Sequence, residues 1–274
     1  RLHPSTKAVS KQLLPIYDKP LIYYSLSVLM MAGIRDLMII TTPHDKKSFM
    51  SLFKDFSSLG INLEFQSQQS PEGIAQAFHI CEDFIDKDNV ALILGDNIFY
   101  GSNFSDSLLR VNKSDGATVF GYHVDDPERF GVVEFNDQGK AIDIVEKPIN
   151  PKSNYALTGL YFYDNDVVEI SKSLKKSPRG EYEITDLNKI YLDNNKLNVE
   201  LLDRGFAWLD AGTHDSLLDA GNFIKTIESR QGLKIGCLEE ISLNNGWITK
   251  ENIKSSIQKF GNSSYASYLR KISK

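Results

Sequence analysis

Cysteine and histidine, on which much soft-metal and nucleophilic chemistry depends, are scarce in this chain. Its 274 residues hold two cysteines and five histidines. Cys81 and Cys237 stand far apart and match no zinc spacing, so both read as reduced thiols of a cytosolic protein. His3, His44, His79, His123 and His214 are scattered with no i, i+4 pair, and neither a zinc site nor a serine triad assembles from them. Long apolar runs are missing too: none approaches the ~20 residues of a membrane span, and Arg1 opens no signal peptide. Lys and Arg form no block, and the net charge of −5 argues against a nucleic-acid surface. No G-x-x-x-x-G-K followed by Ser or Thr marks a P-loop, and no G-x-G-x-x-G marks a dinucleotide fold. Three Asn-x-Ser matches, at Asn103, Asn112 and Asn262, carry little weight without a secretory context. What these absences leave is a soluble, cytoplasmic globular protein with 41% hydrophobic and 24% charged residues.

What is present alternates. The run Val90-Ala91-Leu92-Ile93-Leu94 halts at Gly95 and then presents Asp96 and Asn97. A short unbroken apolar run reads as a strand buried on both faces of a mostly parallel sheet, and such sheets bind ligands beyond their carboxyl strand ends. Before it, helical spacing covers Leu21 to Ala32, a strand Leu37 to Thr42, a helix Asp45 to Phe56, a strand Asn62 to Gln66, and a helix Ile74 to Ile85. The polar loop Gln68 to Gly73 precedes that last helix. The second half is richer in strands: Ala117 to Val124, Gly131 to Phe135, Lys140 to Glu146 and Tyr155 to Tyr163, with a hairpin turn at Asn136 to Gly139. Helices follow at Asp164 to Leu174 and Glu183 to Asp193, then strands at Leu197 to Leu202 and Phe206 to Leu209. Thr213 or His214 opens a long helix that Gly232 stops, and the last forty residues read as short helices. The pattern predicts a layered α/β fold, with residues 1–231 as the main domain and 232–274 as a helical extension. Ile253, Phe260 and Leu269 would pack that extension on this chain or on a partner.

Two strands end in an aspartate, at Asp96 and at Asp210 within Trp208-Leu-Asp210-Ala-Gly212-Thr213. Together they could share Mg²⁺, which takes one or two carboxylates and fills its shell with water and phosphates. Each could equally serve a helix terminus, where negative charge is favoured. Positive charge for phosphate could come from Arg1, Lys11 and Lys147, although most surface cations are merely solvated. Glu146 beside Lys147 could accept from a sugar hydroxyl while the lysine meets a phosphate. Gln68 offers an amide that matches a pyrimidine edge, and Gly73 lets backbone approach a flat base. Taken alone, this pair reads better as a polar loop with a helix start.

The motifs Arg1-Leu-His-Pro-Ser-Thr, Lys11-Gln-Leu-Leu-Pro, Tyr17-Asp-Lys-Pro, Gln76-Ala, Leu94-Gly-Asp-Asn, Asp126-Pro-Glu-Arg-Phe-Gly-Val-Val, Glu146-Lys-Pro, Lys152-Ser-Asn-Tyr-Ala, Thr158-Gly-Leu-Tyr-Phe-Tyr-Asp, Arg179-Gly-Glu and Trp208-Leu-Asp-Ala-Gly-Thr-His-Asp-Ser-Leu stand in one order along the chain. In that order they resemble the sugar-1-phosphate nucleotidylyltransferases, over nearly the whole length. The resemblance implies a Rossmann-like nucleotidyltransferase fold with a mostly parallel mixed central sheet, a smaller sugar-binding sheet and a helical C-terminal appendage.

It further implies transfer of a thymidylyl group from dTTP to glucose 1-phosphate, for dTDP-sugar (such as dTDP-rhamnose) and surface polysaccharide synthesis. Asp96 and Asp210 would hold Mg²⁺. Lys147 would hold the sugar phosphate, Arg1 and Lys11 the triphosphate, Gln68 and Gly73 the pyrimidine, with Asp96 also on the nucleotide side. Asn97, Gly131, Glu146, Gly159 and Tyr161 would form the sugar pocket. A homotetramer inhibited by a dTDP-sugar at a second site is implied as well.

The family opens with a strand and a glycine-rich loop ending in Gly-Thr-Arg, of which only Arg1 has a counterpart here. The expectation is a clipped chain; a protein truly lacking that loop would have little or no activity. UTP is the rival nucleotide, and a binding regulator that has lost catalysis is the rival class. Retention of Asp96, Asp210 and Lys147 argues against the second.

Overall fold

The computed structural model describes residues 2–274. In chain order the first half holds β1 (Pro15–Ile16), β2 (Lys19–Pro20), α1 (Ile22–Met31), β3 (Asp36–Thr41), α2 (Lys46–Leu52), β4 (Asn62–Ser67), α3 (Gln76–Ile80), α4 (Glu82–Ile85), β5 (Val90–Ile93), β6 (Asn97–Tyr100) and α5 (Phe104–Val111). The second half adds β7 (Ala117–His123), β8 (Gly131–Phe135), β9 (Ala141–Glu146), β10 (Tyr155–Tyr163), α6 (Asp166–Ser173), α7 (Ile184–Asp193), β11 (Leu197–Leu202), β12 (Ala207–Asp210), α8 (His214–Gln231), α9 (Leu238–Asn244), α10 (Lys250–Phe260) and α11 (Ser264–Ile272).

Strand β10 organises the sheet, because all its residues after Tyr155 are buried and both of its edges are paired. One edge carries β7 along its length, with β11 parallel beyond it. The other edge is shared: β8 meets Ala156 through Val132, and β5 meets Leu160 to Tyr163. β9 extends the sheet beyond β8, and three small pairs (β1·β2, β3·β4, β6·β12) complete the strand inventory of the described residues. The layered α/β class and the mixed sheet are as expected. Among described pairings, only β3·β4 and β7·β11 are parallel. The balance is more antiparallel than the strand–helix alternation suggested, because β10 takes antiparallel partners on both edges.

Several boundaries shift for packing reasons. The helix expected over Asp45 to Phe56 stops at Leu52, since Phe53 and Phe56 turn inward to meet edge-to-face at 4.5 Å, with Tyr23 5.7 Å from Phe56. The helix expected over Ile74 to Ile85 breaks at Cys81 into α3 and α4. β5 is half-buried along its length, not buried on both faces. It borders, with β3, α1 and α3, a cleft of about 1030 Å³. β6 and α5 occupy a stretch to which sequence periodicity assigned nothing. Even so, Phe104, Leu108 and Val111 recur at i, i+4 and i+7 and are the buried face of α5.

Helices α9 to α11 close one core. Leu238, Ile253, Tyr265 and Leu269 are buried with Tyr23, Leu26 and Met30 of α1 and with Phe49 of α2, while Phe260 packs half-buried at the margin. Ile253, Phe260 and Leu269 thus pack on this chain. We propose the division at Gly232, which ends α8 in the left-handed region (φ +66°).

Candidate active site

The turn after β5 carries Asp96, and β6 begins at once with Asn97. β12 runs antiparallel to β6 with Asp210 directly opposite Asn97, and the Ala211 amide donates to the Asp96 carbonyl at 3.0 Å. Two carboxylates remote in sequence therefore become neighbours. Asn97 is almost fully buried and ties the region together. Its Oδ1 accepts from the Trp208 indole at 2.6 Å and the Gly159 amide at 3.0 Å, while its Nδ2 donates to Asp96 Oδ1 at 3.0 Å. The Lys11 ammonium caps the other Asp96 oxygen. Gln12, next to Lys11, packs so closely on Gly95 that a Cβ there would lie 2.9 Å from its Cγ. Thr213, as anticipated, caps α8: its Oγ1 accepts from the Ser216 amide at 3.1 Å, and Ser216 Oγ returns the bond.

A pocket of about 180 Å³ opens where β5 and β8 part from β10, and Asp96 and Asp210 both line it. Asn97, Gly131, Glu146, Lys147, Gly159 and Tyr161 line it too, so the structure brings together the whole expected sugar set. Gly131 and Glu146 are register partners of β8 and β9. A Cβ on Gly131 would stand 3.1 Å from Thr185 Oγ1 and 3.3 Å from Glu146 Oε2, and one on Gly159 would stand 2.7 Å from Asn97 Oδ1. Thr185 donates to Glu146 Oε2 at 2.6 Å, and Lys147 pairs with the other oxygen at 3.0 Å. Lys147 holds φ at +44°, a conformation costly for a residue with a side chain, and its amide is anchored on the Phe130 carbonyl at 2.9 Å. Burial, with a smaller contribution from Glu146, pushes the Tyr161 phenol above its ordinary range, so it stays a neutral hydrogen-bonding group.

Sequence reasoning assigned no role to Arg179, Thr185 or Trp208, all of which line this pocket. Arg179 stood within a recognised motif, and that was the available signal. It touches Glu146 and Glu181 at 3.3 Å and Glu183 at 3.4 Å while remaining 44% exposed. Such solvated pairs are worth little and can be exchanged for an anion.

Gln68 and Gly73 lie apart from this set, in the neighbouring cleft, with Ile74 and Leu94 forming the wall common to both spaces. Gly73 has its own structural demand: φ is +110°, and a Cβ would fall 2.4 Å from the Tyr182 carbonyl oxygen. Lys11 reaches the site through Asp96. Arg1, the remaining expected clamp, lies outside the described residues.

Five carboxylates line the pocket (Asp96, Glu146, Glu181, Glu183, Asp210) against three basic side chains (Arg129, Lys147, Arg179), and no histidine is among them. A polyanionic ligand would meet net repulsion there without an added cation. Among the described residues no cluster of three or more His, Cys, Asp or Glu could cage a metal. Two carboxylates, Asp96 and Asp210, are donors of the kind that a hard ion takes when water and phosphate oxygens complete its shell.

A family model described as nucleotidyl transferase matches residues 1–227. A glucose-1-phosphate thymidylyltransferase of Neisseria meningitidis is 54% identical over 275 residues, covering 100% of this chain and 96% of its own. One from Mycobacterium tuberculosis is 54% identical over 269 residues, covering 98% and 93%. Among solved structures, a Bacillus anthracis protein assigned to the glucose-1-phosphate thymidylyltransferases, in complex with sucrose, has a TM-score of 0.74 at 41% identity, over 81% of this chain and 89% of that one. A UDP-glucose pyrophosphorylase complexed with UDP-glucose has a TM-score of 0.72 at 25% identity, over 83% and 94%. With its two strand-end aspartates lining one pocket, a family model over residues 1–227 and curated relatives that match 98–100% of it, the chain belongs to the nucleotidyl transferase family.

Proposed function

We propose that this enzyme transfers a thymidylyl group from dTTP to α-D-glucose 1-phosphate, forming dTDP-glucose and pyrophosphate. The observation that carries the chemistry is the β6·β12 register, which sets Asp96 and Asp210 side by side at a pocket that also presents Lys147, Arg179 and Glu146. The 54% identity to thymidylyltransferases supports the choice of substrates.

In this reading, Asp96 and Asp210 hold Mg²⁺, which when bound neutralises charge between the two polyanionic substrates. Lys147 and Arg179 orient the sugar phosphate. Lys11 exchanges Asp96 for the triphosphate, with Arg1 as the second clamp. Asn97, Gly131, Glu146, Gly159 and Tyr161 shape the sugar subsite, and Gln68 and Gly73 meet the pyrimidine. A phosphate monoester has a second pKa near ~6, so the attacking oxygen is already anionic at neutral pH. No general base is needed, which suits a pocket without histidine. Catalysis is then in-line displacement at the α-phosphorus by positioning and charge neutralisation. One phosphoanhydride replaces another, so the reaction runs in both directions.

UTP is the second reading, supported by the likeness to a protein solved with UDP-glucose. One methyl group separates the two bases, worth about 1–3 kcal/mol of discrimination. A cytoplasmic homotetramer inhibited by a dTDP-sugar completes the proposal. No described helix is long and apolar enough to cross a membrane.

The test is pyrophosphate release by the full-length chain from dTTP or UTP with glucose 1-phosphate and Mg²⁺. Asp96→Asn is expected to lose about 10²–10³-fold in kcat while keeping its thermal midpoint. An unchanged rate removes the metal role, and silence of the parent enzyme with both nucleotides overturns the reading.

A further inference from the structure

A glutamine can show a ligand either its amino group or its oxygen, and for Gln68 the structure removes that choice. Gln68 Nε2 donates to the Gly73 carbonyl at 3.2 Å and to Gln76 Oε1 at 2.6 Å. Gln76 Nε2 in turn donates to Glu72 Oε2 at 3.2 Å, and Lys176 donates to the other Glu72 oxygen at 2.9 Å. The chain of bonds is closed at both ends by groups that only accept, a backbone carbonyl and a carboxylate. Flipping Gln68 would set its oxygen against both the Gly73 carbonyl and Gln76 Oε1, while flipping Gln76 would set donor against donor between the glutamines and acceptor against acceptor at Glu72. Both amino hydrogens of Gln68 are thus spent within the protein, and only Oε1 remains to be offered.

The frame that holds this relay is rigid. Tyr182 accepts from the Ala75 amide at 3.3 Å and donates to the Glu72 carbonyl at 2.7 Å, so backbone bonds flank Gly73 on both sides. Gln76 opens α3, and Gln68 immediately follows β4.

We propose that Gln76, oriented by Glu72, is a positioning residue that makes Gln68 an obligate hydrogen-bond acceptor. The site then selects a nucleobase with a ring N–H at that edge, an imide pyrimidine, over cytosine, whose N3 carries no hydrogen. The proposal rests on the reading of Gln68 as a base contact. It goes beyond that reading by assigning base selectivity to a residue that need not touch the base.

The experiment compares kcat/KM for dTTP and dCTP, with glucose 1-phosphate, in the full-length enzyme and in Gln76→Leu, Gln76→Glu, Glu72→Gln and Gln68→Leu variants. Gln76→Leu leaves only the Gly73 carbonyl, at 3.2 Å, to hold the Gln68 amide, and the dTTP-to-dCTP preference is expected to narrow about tenfold, through the KM for dTTP with kcat largely kept. Gln76→Glu retains an acceptor toward Gln68 and is expected to restore most of the preference. Glu72→Gln, on a loop that reaches solvent, lets the relay reverse and should narrow the preference in the same direction if Gln76→Leu does not fold. A preference unchanged in Gln76→Leu and Glu72→Gln, while Gln68→Leu collapses it, overturns the proposal and leaves the base contact standing. A KM for dTTP unchanged in Gln68→Leu overturns both.

Discussion

A methyl group on Gly73 would lie 2.4 Å from the Tyr182 carbonyl oxygen and 2.6 Å from its nitrogen, with the backbone at φ +110°. No side chain fits, and none adopts that conformation cheaply. The same residue takes a hydrogen bond from Gln68, so a steric demand and the orientation of the Gln68 amide coincide at one position. Gly73→Ala is therefore expected to cost about 1–3 kcal/mol, read as a lower urea midpoint with an unchanged slope. A midpoint equal to that of the parent would mean that the Tyr182 contact relaxes freely. Lys147 takes a left-handed backbone, φ +44°, with its long side chain intact, and its ammonium lies 3.0 Å from Glu146.

Helix α8 joins two parts of the site region. It starts just beyond Asp210 with the Thr213 cap, and its last turn carries Glu228 into a buried quartet of charges. Glu228 accepts from Lys19 at 3.1 Å and Lys234 at 3.0 Å; Asp18 binds the same two ammonium groups, Lys19 at 2.5 Å. Burial alone would push the Lys234 ammonium down, but its bonds to Asp18 and Glu228 hold it above its ordinary value. The quartet thus fastens the β1–β2 hairpin, which follows Lys11, to the far end of the helix that follows Asp210. Breaking a buried pair leaves an uncompensated charge, so Glu228→Gln should destabilise by about 3–5 kcal/mol in urea unfolding. The control is Glu169→Gln, whose partner Lys172 is solvent-exposed, and which should cost no more than about 0.5 kcal/mol. Equal effects of the two substitutions would dismiss the quartet as a fastening.

The molecule as a whole is closed by α9 to α11 on α1, and that core contains a carboxylate. Glu239 is 3% exposed and accepts from the Tyr265 hydroxyl at 2.6 Å. Burial raises its pKa, and the Tyr265 bond offsets this only in part. A carboxyl raised in the fold gives its full stability below the ordinary value of about 4.3 and loses it as pH rises through the folded value. Glu239→Gln keeps an acceptor for Tyr265 and removes that loss. The variant is expected to match the parent's thermal midpoint near pH 4 and to exceed it by about 2–4 °C at pH 7.5. A difference between the two that stays constant across that range would sink the argument.

Local pattern alone located most of the strands, though not β1, β2 or β6, and settled where Gly232 stops α8, that Thr213 caps it, and that Asp96 and Asp210 sit at strand ends. Those properties depend on side-chain periodicity and backbone preference within a few residues, which any chain displays in its own order. Periodicity also held the signal for α5 in Phe104, Leu108 and Val111. Tertiary structure alone decided that Asp210 faces Asn97, that β5 and β8 diverge on β10 to open the pocket, and that Arg179 enters it. It decided the polarity of Gln68 as well. The reason is physical: partners separated by a hundred residues are chosen by complementary strand edges and packed faces, and a shift of one residue would turn every side chain to the other face.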